Sequence, residues 1–181
     1  MANVFFTSDT HFDHSDILDY CKRPFNTVTE MNEAFIERWN NVVTKKDTVY
    51  HLGDVILSTD VKKLYRLNGK KILIIGNHDE YLMRFRSFRK IFIEHYSYHE
   101  LKMFKKSVVL CHYPFHIWKN ATKNIHLHGH THGKCAKKFN RFDVGIDTTK
   151  DRYKPYTFED VEFLLEKQNS FLTQNGHPYK S

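Results

Sequence analysis

Histidine and aspartate recur in this chain where short apolar segments end, and their spacing indicates metal chemistry. These polar residues fall into five blocks along the sequence: Asp9-x-His11, Gly53-Asp54, Gly76-Asn77-His78-Asp79, His112 and Gly129-His130-x-His132. Imidazole, carboxylate and amide groups together suit borderline divalent metals such as Mn²⁺, Fe²⁺ and Zn²⁺. Seven candidate ligands exceed the four that a tetrahedral ion takes, whereas two ions that share a carboxylate would use them all. Such a pair of ions can clamp a phosphoryl group.

The segments between these blocks predict the elements that must position them. Predicted strands span residues 4–7, 47–52, 71–75, 91–95, 101–105, 107–111, 124–128 and 141–146. Predicted helices begin at Thr29, follow a cap at Ser58, span residues 80–88 and run from Thr157 to about Lys167. This alternation is typical of an α/β layered sandwich of mixed sheets, in which ligands bind at the carboxyl ends of strands. The five blocks are therefore expected to converge.

Length and composition bound the remaining possibilities. The chain has 181 residues, which predicts a single domain over residues 1–181, with a polar tail at about residues 173–181. Hydrophobic residues make up 40% and aromatic residues 15% of the chain, which excludes a disordered protein. The formal net charge of +7 favours anionic partners such as phosphates, nucleotides or nucleic acids.

The cellular compartment is also predicted from sequence features. The apolar runs are too short to span a bilayer, and the first six residues predict a strand rather than a signal peptide. The three cysteines, Cys21, Cys111 and Cys135, lack the spacing of a zinc finger and do not indicate a disulfide framework. We therefore expect a cytoplasmic protein that does not associate with membranes. Its oligomeric state is left open.

In their order, the five blocks resemble the pattern of the calcineurin-like metallophosphoesterase superfamily: D-x-H, G-D, G-N-H-[DE], H and G-H-x-H. Residues 20–25 and 51–54 resemble its small single-domain bacterial and phage members. The resemblance implies a four-layer α/β/β/α sandwich, with two mixed sheets flanked by helices. It also implies two divalent metal ions, with Mn²⁺ preferred and Fe, Zn²⁺, Ni²⁺ or Co²⁺ as alternatives. The implied activity is hydrolysis of phosphodiesters, and also of monoesters, in a small nucleotide-like substrate.

The resemblance assigns a role to each block residue. Asp9, His11 and His132 would bind one metal, Asn77, His112 and His130 the other, and Asp54 both. A hydroxide between the two ions would attack phosphorus. His78 would contact the phosphate together with Asn77 and would protonate the departing oxygen. Asp79 would orient His78 or a ligand histidine through a hydrogen bond.

Outside the blocks, several residues have alternative interpretations. His14 is a candidate contact for the substrate phosphate or a surface histidine, and Arg23 is a candidate phosphate clamp or part of an exposed salt bridge. The basic segment 134–141 is expected to put positive charge at the rim of the site. Asp143 and Asp147 match no block of the family. A DNA or RNA nuclease, a protein Ser/Thr phosphatase and a non-catalytic metal module remain alternative functions.

Overall fold

The computed structural model describes residues 2–103 and 106–176, and its strands form two mixed sheets. The elements of the first half are β1 Val4–Thr7, α1 Ile17–Cys21, α2 Val28–Asn40, β2 Thr48–His51, β3 Lys70–Ile74, α3 Asp79–Leu82, α4 Arg86–Arg89 and β4 Glu94–Tyr96. The second half contains β5 Tyr98–Met103, β6 Lys106–Cys111, β7 Ile125–His128, β8 Arg141–Asp143, β9 Tyr156–Thr157 and α5 Phe158–Gln174. Two 3₁₀ helices span Lys62–Arg66 and Ile146–Arg152. The predicted sandwich of two mixed sheets flanked by helices is confirmed.

The strand order aligns the carboxyl ends of most strands. The first sheet has the order β4-β3-β2-β1-β9, in which β1 to β4 are parallel and β9 is antiparallel to β1. The second sheet has the order β5-β6-β7-β8, in which only β5 runs antiparallel to its neighbour. Because parallel strands end at one edge, the loops after β1, β2 and β3 can meet those after β6 and β7.

Alternation along β1 separates two hydrophobic clusters. Phe5 packs with Phe35 and Trp39 of α2, whereas Phe6 faces the cluster between the sheets, which includes Leu110 and Leu127. The Thr27 side chain caps α2 by accepting the Glu30 N–H. Apolar burial on both faces of the first sheet thus fixes its position relative to α2 and to the second sheet.

The C-terminal helix is longer than predicted. The expected capping box is present, since Thr157 and Asp160 exchange hydrogen bonds between side chain and backbone. α5 nevertheless continues past Lys167 to Gln174, because its buried face extends as far as Leu172. The polar composition of residues 168–174 makes this extension hard to predict from the sequence. Residues 173–174 are therefore helical, and residues 177–181 of the predicted tail lie outside the described residues.

Other predicted elements also differ from the structure. The strand predicted for residues 91–95 is β4, Glu94–Tyr96, and the strand predicted for residues 101–105 is β5, Tyr98–Met103, with residues 104–105 outside the described residues. The helix after Ser58 is only the 3₁₀ turn Lys62–Arg66, and its Tyr65 is 60% exposed. The helix predicted for residues 80–88 divides into α3 and α4, with Phe85 in extended backbone between them. The last predicted strand ends at Asp143, because Gly145 precedes the second 3₁₀ helix. Within the described part of the chain, no helix combines the length and apolar character needed to span a membrane.

Buried His126 on β7 gives the fold a pH-dependent stability. Its Nδ1 lies 3.1 Å from the Val109 carbonyl oxygen, and its Nε2 accepts the Phe115 N–H at 3.0 Å. Burial lowers the pKa of His126 to about 4 from 6.5. The folded state therefore resists protonation, so its stability is complete above pH 6.5 and falls as the pH drops towards 4.

We expect His126→Gln to remove this part of the pH dependence. In chelator-treated protein, the wild type should lose about 3 kcal/mol more unfolding free energy between pH 7.5 and 4 than the variant does. Urea unfolding at several pH values measures the difference. Parallel pH profiles for the two proteins would contradict the prediction. An exposed histidine, His95, provides the matched control variant His95→Gln.

Candidate metal centre

The five sequence blocks meet at the carboxyl ends of strands from both sheets. Two groups of their side chains, in each of which the potential ligand atoms lie within 4.8 Å of one another, are Asp9, His11 and His132, and Asp54, His112 and His130; a third such group joins His11 and Asp54 to His78. Asn77 joins the second group, since its Oδ1 lies 3.0 Å from His112 Nε2. The structure therefore brings together all seven residues that the resemblance assigns to metal binding. Their function as ligands remains a prediction.

Asp54 belongs to the second group and also reaches the first. Its Oδ2 is 3.6 Å from His11 Nε2 in one group and 3.5 Å from His112 Nε2 in the other. Its Oδ1 accepts the backbone N–H of His78 at 3.0 Å, which holds the carboxylate in place. A residue shared by two ions must lie close to both sets of ligands, and the Asp54 carboxylate has this position.

The buried nitrogen His11 Nε2 fits a metal ligand. It is buried without a hydrogen-bond partner, although His11 Nδ1 lies 3.3 Å from Nδ1 of His14. Burial first, and then nearby positive charges beginning with Arg23, lower the pKa of His11 to about 2. The imidazole is therefore neutral with a free lone pair, which is the state that binds a divalent cation.

Crowded carboxylates complete the chemical fit. Burial, followed by the charge of Asp143, raises the pKa of Asp9 well above its ordinary value, and Asp54 adds to this effect. The His130 N–H, 3.0 Å from both carboxylate oxygens, offsets this only in part. A cation at this place would supply the missing positive charge, so the residues present suit divalent metal ions.

Strained backbone is concentrated in the same loops. Five of the seven candidate ligands have left-handed backbone: Asp9 (φ 57°), His11 (φ 49°), Asp54 (φ 57°), His130 (φ 67°) and His132 (φ 48°). This conformation costs a residue other than glycine about 1 kcal/mol or more, and it persists where function requires a special side-chain direction. Gly129 is required here for another reason, because a Cβ at this position would collide with the side chains of Ser8 and Asp9.

Two candidate ligand histidines are oriented through Nδ1. His112 Nδ1 lies 2.6 Å from the Leu52 carbonyl oxygen, so it donates and leaves Nε2 directed towards Asn77 and Asp54. His132 Nδ1 lies 2.8 Å from Asp147 Oδ2. Each imidazole is therefore held in the tautomer that presents an unprotonated Nε2 to the centre.

Arg23 does not act as the predicted phosphate clamp. It is 4% exposed, and its Nε and Nη2 each donate to Asp147 at 2.8 Å. Nη1 and Nη2 also donate to the backbone carbonyls of Thr10 and Asp9, at 2.9 and 2.7 Å. Because the guanidinium is buried under the ligand loop, it holds the Asp9–His11 backbone and cannot reach a phosphate at the surface.

Asp79 is likewise not bonded to His78. Its buried carboxylate accepts the backbone N–H groups of Asp54, Val55 and Gly76 at 2.9 to 3.0 Å. Burial raises the pKa of Asp79 to about 7, and these hydrogen bonds act in the opposite direction. The residue therefore connects the loops after β2 and β3 and does not orient a catalytic histidine.

His78 and His14 lie at the open side of the centre. The His78 side chain is 43% exposed, and its Nε2 is 4.0 Å from Asp54 Oδ2. The His78 ring centroid is 5.3 Å from that of His11 and 6.4 Å from that of His14. Both residues can therefore face a group that enters from solvent, and the role of His14 as a phosphate contact remains a prediction.

The residue that sequence reasoning missed is Asp147. It receives hydrogen bonds from both Arg23 and the candidate ligand His132. Burial would raise its pKa, but these hydrogen bonds outweigh burial and hold the pKa of Asp147 below its usual range. His132 and Asp147 also border a cavity of about 510 Å³.

We expect Asp147→Asn to weaken metal binding about tenfold without removing a ligand. Asparagine keeps an acceptor for His132 but loses the charge that pairs with Arg23, and partners of this kind typically change metal affinity 10- to 100-fold. Mn²⁺ titration of the metal-free protein by calorimetry measures the effect, with the exposed Asp19→Asn as control. Unchanged affinity in a folded Asp147→Asn protein would show that His132 needs no such support.

The basic segment contributes less to the rim than predicted. Lys134 lies beside the site, with its Nζ 3.9 Å from the ring centroid of Tyr20. Arg141 is buried instead, and its guanidinium donates to the carbonyls of Phe115 and Ala136. Lys137 lies 5.7 Å from the ring centroid of Phe171. Lys134 is thus the residue of this segment that brings positive charge next to a candidate ligand.

This chain is similar in sequence to a known protein family and to individual proteins. Residues 3–144 match the model of the calcineurin-like phosphoesterase superfamily domain, and this range includes all seven candidate ligands. An uncharacterized protein of Methanocaldococcus jannaschii is 35% identical over 185 aligned positions, which cover 97% of this chain and 98% of the relative. The Gene 66 protein of Mycobacterium phage L5 is 26% identical, over 91% of this chain and 75% of its own.

A solved structure shares the fold over nearly the full length. A protein of unknown function from Aquifex aeolicus superposes with a TM-score of 0.72 and 24% sequence identity. The superposition covers 91% of this chain and 100% of that chain. The two-sheet arrangement is therefore common to both proteins.

Proposed function

Because this chain belongs to the calcineurin-like phosphoesterase superfamily, we propose that it hydrolyses phosphodiester bonds in a nucleotide-like substrate. Membership of this superfamily supports a metal-dependent hydrolase of phosphoric esters. The finer proposal is a centre of two divalent ions, with Mn²⁺ as the first candidate, held by the seven clustered residues. Asp54 would contact both ions.

The position of Asp54 is the single observation that supports this proposal most strongly. One carboxylate oxygen lies within 3.6 Å of a histidine from each of two three-residue groups. One of these histidines, His11, has a buried Nε2 without a partner. A purely structural cluster would satisfy this nitrogen with a hydrogen bond, whereas a cation site leaves it free.

The side chains around the centre have distinct tasks in the proposed reaction. Bound divalent ions would polarise the phosphoryl oxygens and activate a water molecule at neutral pH. Asp54 and Asp9 supply the negative charge that holds the ions, while Arg23 and Asp147 fix the ligand loops from behind. His78, at the open side, is positioned to bind a phosphoryl oxygen and to donate a proton to the departing oxygen.

The open side of the centre favours a diester substrate. Asn77, His78 and His130 are exposed, so a group on either side of a phosphate has room to extend into solvent. A site that must recognise a monoester usually encloses the phosphate with additional donors. Arg23, which lies beneath the candidate ligands, is engaged by Asp147 and backbone carbonyls.

The test is a turnover screen of protein reconstituted with Mn²⁺, Ni²⁺, Co²⁺, Zn²⁺ or Mg²⁺. We expect bis-p-nitrophenyl phosphate to be hydrolysed faster than p-nitrophenyl phosphate, with activity lost in chelator and restored by metal. Activity on p-nitrophenyl phosphate and phosphopeptides alone would indicate a protein phosphatase instead. Metal-independent turnover, or none with any metal or ester, would overturn the proposal. The exposed Asp60→Asn is the matched surface control.

A further inference from the structure

Two exposed tyrosines lie beside the candidate centre, one next to each ligand group. Tyr20 is 64% exposed, and its ring stands edge-on to that of His132 with 5.9 Å between centroids. Tyr113 is 43% exposed, and its ring centroid is 4.8 Å from that of His130. Because His132 and His130 belong to different groups, the two rings flank the place where a phosphodiester would bind.

The surroundings of Tyr20 suit a planar, anionic ligand, and Tyr113 offers a second exposed ring. Tyr113 also contacts His112, at 5.1 Å between ring centroids, so histidines fix this ring beside the centre. Lys134 Nζ lies over one face of Tyr20 and adds positive charge next to the ligand group. Exposed aromatic faces beside positive charge are the combination with which proteins bind single-stranded nucleic acids, because every base can stack and every linkage is anionic.

We propose that Tyr20 and Tyr113 each stack with one of the two bases that flank the scissile phosphate. The substrate is then an unpaired dinucleotide unit, either free or within single-stranded DNA or RNA. This inference rests on the proposed phosphodiesterase function and names its substrate class. Water adds across one P–O bond, giving a phosphomonoester on one nucleoside and, after protonation, a hydroxyl group on the other.

The geometry disfavours two simpler nucleotide substrates. A mononucleotide has one base, so it can use only one of the two rings. In a double helix the bases stack on one another and are paired, so neither tyrosine can reach a base face without opening the duplex. Two rings on different sides of one centre therefore match a linkage with an unpaired base on each side.

The test compares thymidylyl-thymidine with the same phosphodiester joining two abasic deoxyriboses. In the metal-loaded wild type we expect a clear preference, measured as the ratio of kcat/KM for the two substrates. Tyr20→Ala and Tyr113→Ala should each reduce this ratio about tenfold or more. Tyr20→Phe and Tyr113→Phe, which keep the rings, should retain it. The control variant Tyr65→Ala should also retain the ratio. It removes a tyrosine that is 60% exposed and whose hydroxyl group donates to the Ser87 carbonyl oxygen.

The outcomes separate this inference from the function on which it rests. If bis-p-nitrophenyl phosphate is hydrolysed but the preference ratio is the same in wild type and alanine variants, the stacking role is wrong and the phosphodiesterase proposal stands. If no phosphodiester is hydrolysed, the proposed function itself fails. Faster cleavage of single-stranded dodecamers than of the free dinucleotide identifies nucleic acid as the source of the substrate. The reverse order identifies a free dinucleotide.

Discussion

Replacing Asp54 by asparagine is expected to lower kcat/KM for phosphodiester hydrolysis by about a thousandfold. The carboxylate lies 3.6 Å from His11 Nε2 and 3.5 Å from His112 Nε2, so it reaches both ligand groups. Asparagine has nearly the same shape but carries no charge, and it would neutralise neither of two adjacent cations. The several kcal/mol that a bound metal contributes to stabilising the transition state would be lost with it.

Steady-state kinetics and metal analysis of the same preparations test this expectation. Asp54→Asn should bind less than two equivalents of Mn²⁺, whereas the surface control Asp60→Asn should match the wild type. The loop after β2 should remain folded in Asp54→Asn. The hydrogen bond that holds it runs from the backbone N–H of Asp54 to the Asp79 carboxylate, and the substitution does not change this N–H. Retention of both metal equivalents with activity within tenfold of wild type would refute the assignment of Asp54 as the shared residue.

Replacing His78 by alanine is expected to lower kcat by 10²- to 10⁴-fold for substrates with an alkoxide leaving group. The side chain is 43% exposed at the open side of the centre, where it can reach a departing oxygen. Such an oxygen needs a proton, whereas p-nitrophenolate leaves without one. The loss should therefore be much smaller for bis-p-nitrophenyl phosphate than for thymidylyl-thymidine.

This dependence on the leaving group distinguishes proton donation from a structural role. Metal content should be unchanged in His78→Ala, because the histidine contributes its backbone N–H to Asp54 and this group survives the substitution. His95→Ala, at an exposed histidine of β4, serves as control. An equal loss of kcat for both leaving groups would show that His78 acts by positioning the substrate and not as an acid.

The position of the ligands was predictable because two sequence signals coincide. Apolar segments predict where strands end, and five of these ends are followed within three residues by Asp, Asn or His, as in Asp9 after β1 and His112 after β6. In a sandwich with parallel strands, these ends converge whatever the detailed register is. That residues 1–181 form a single domain remains a prediction of the same kind.

The groups behind the ligands were not predictable in this way. Arg23 and Asp147 are separated by 124 positions, and neither lies in a block that marks the family. Only the fold brings the second 3₁₀ helix under the loop after β1, which turns an expected surface arginine into a buried one. Asp79 shows the same limitation. Its position next to His78 in the sequence suggested a hydrogen bond between the two side chains, but at the start of α3 the Asp79 carboxylate accepts the Gly76 N–H instead.

Backbone strain was equally invisible in the sequence. Asp9, His11, Asp54 and His132 have left-handed backbone in the structure, although none is a glycine. Local propensity argues against this conformation for such residues, and tertiary contacts to the ligand loops override it. Among the described residues, five of the ten non-glycine residues with left-handed backbone are candidate ligands.

The most direct measurement is a titration of metal-free protein with Mn²⁺, followed by electron paramagnetic resonance. We expect two ions bound per chain, with a spectrum in which the two spins are coupled because Asp54 would contact both ions. The coupling should disappear in Asp54→Asn. One bound ion per chain, or two ions with uncoupled spectra in the wild type, would contradict a centre built around this carboxylate.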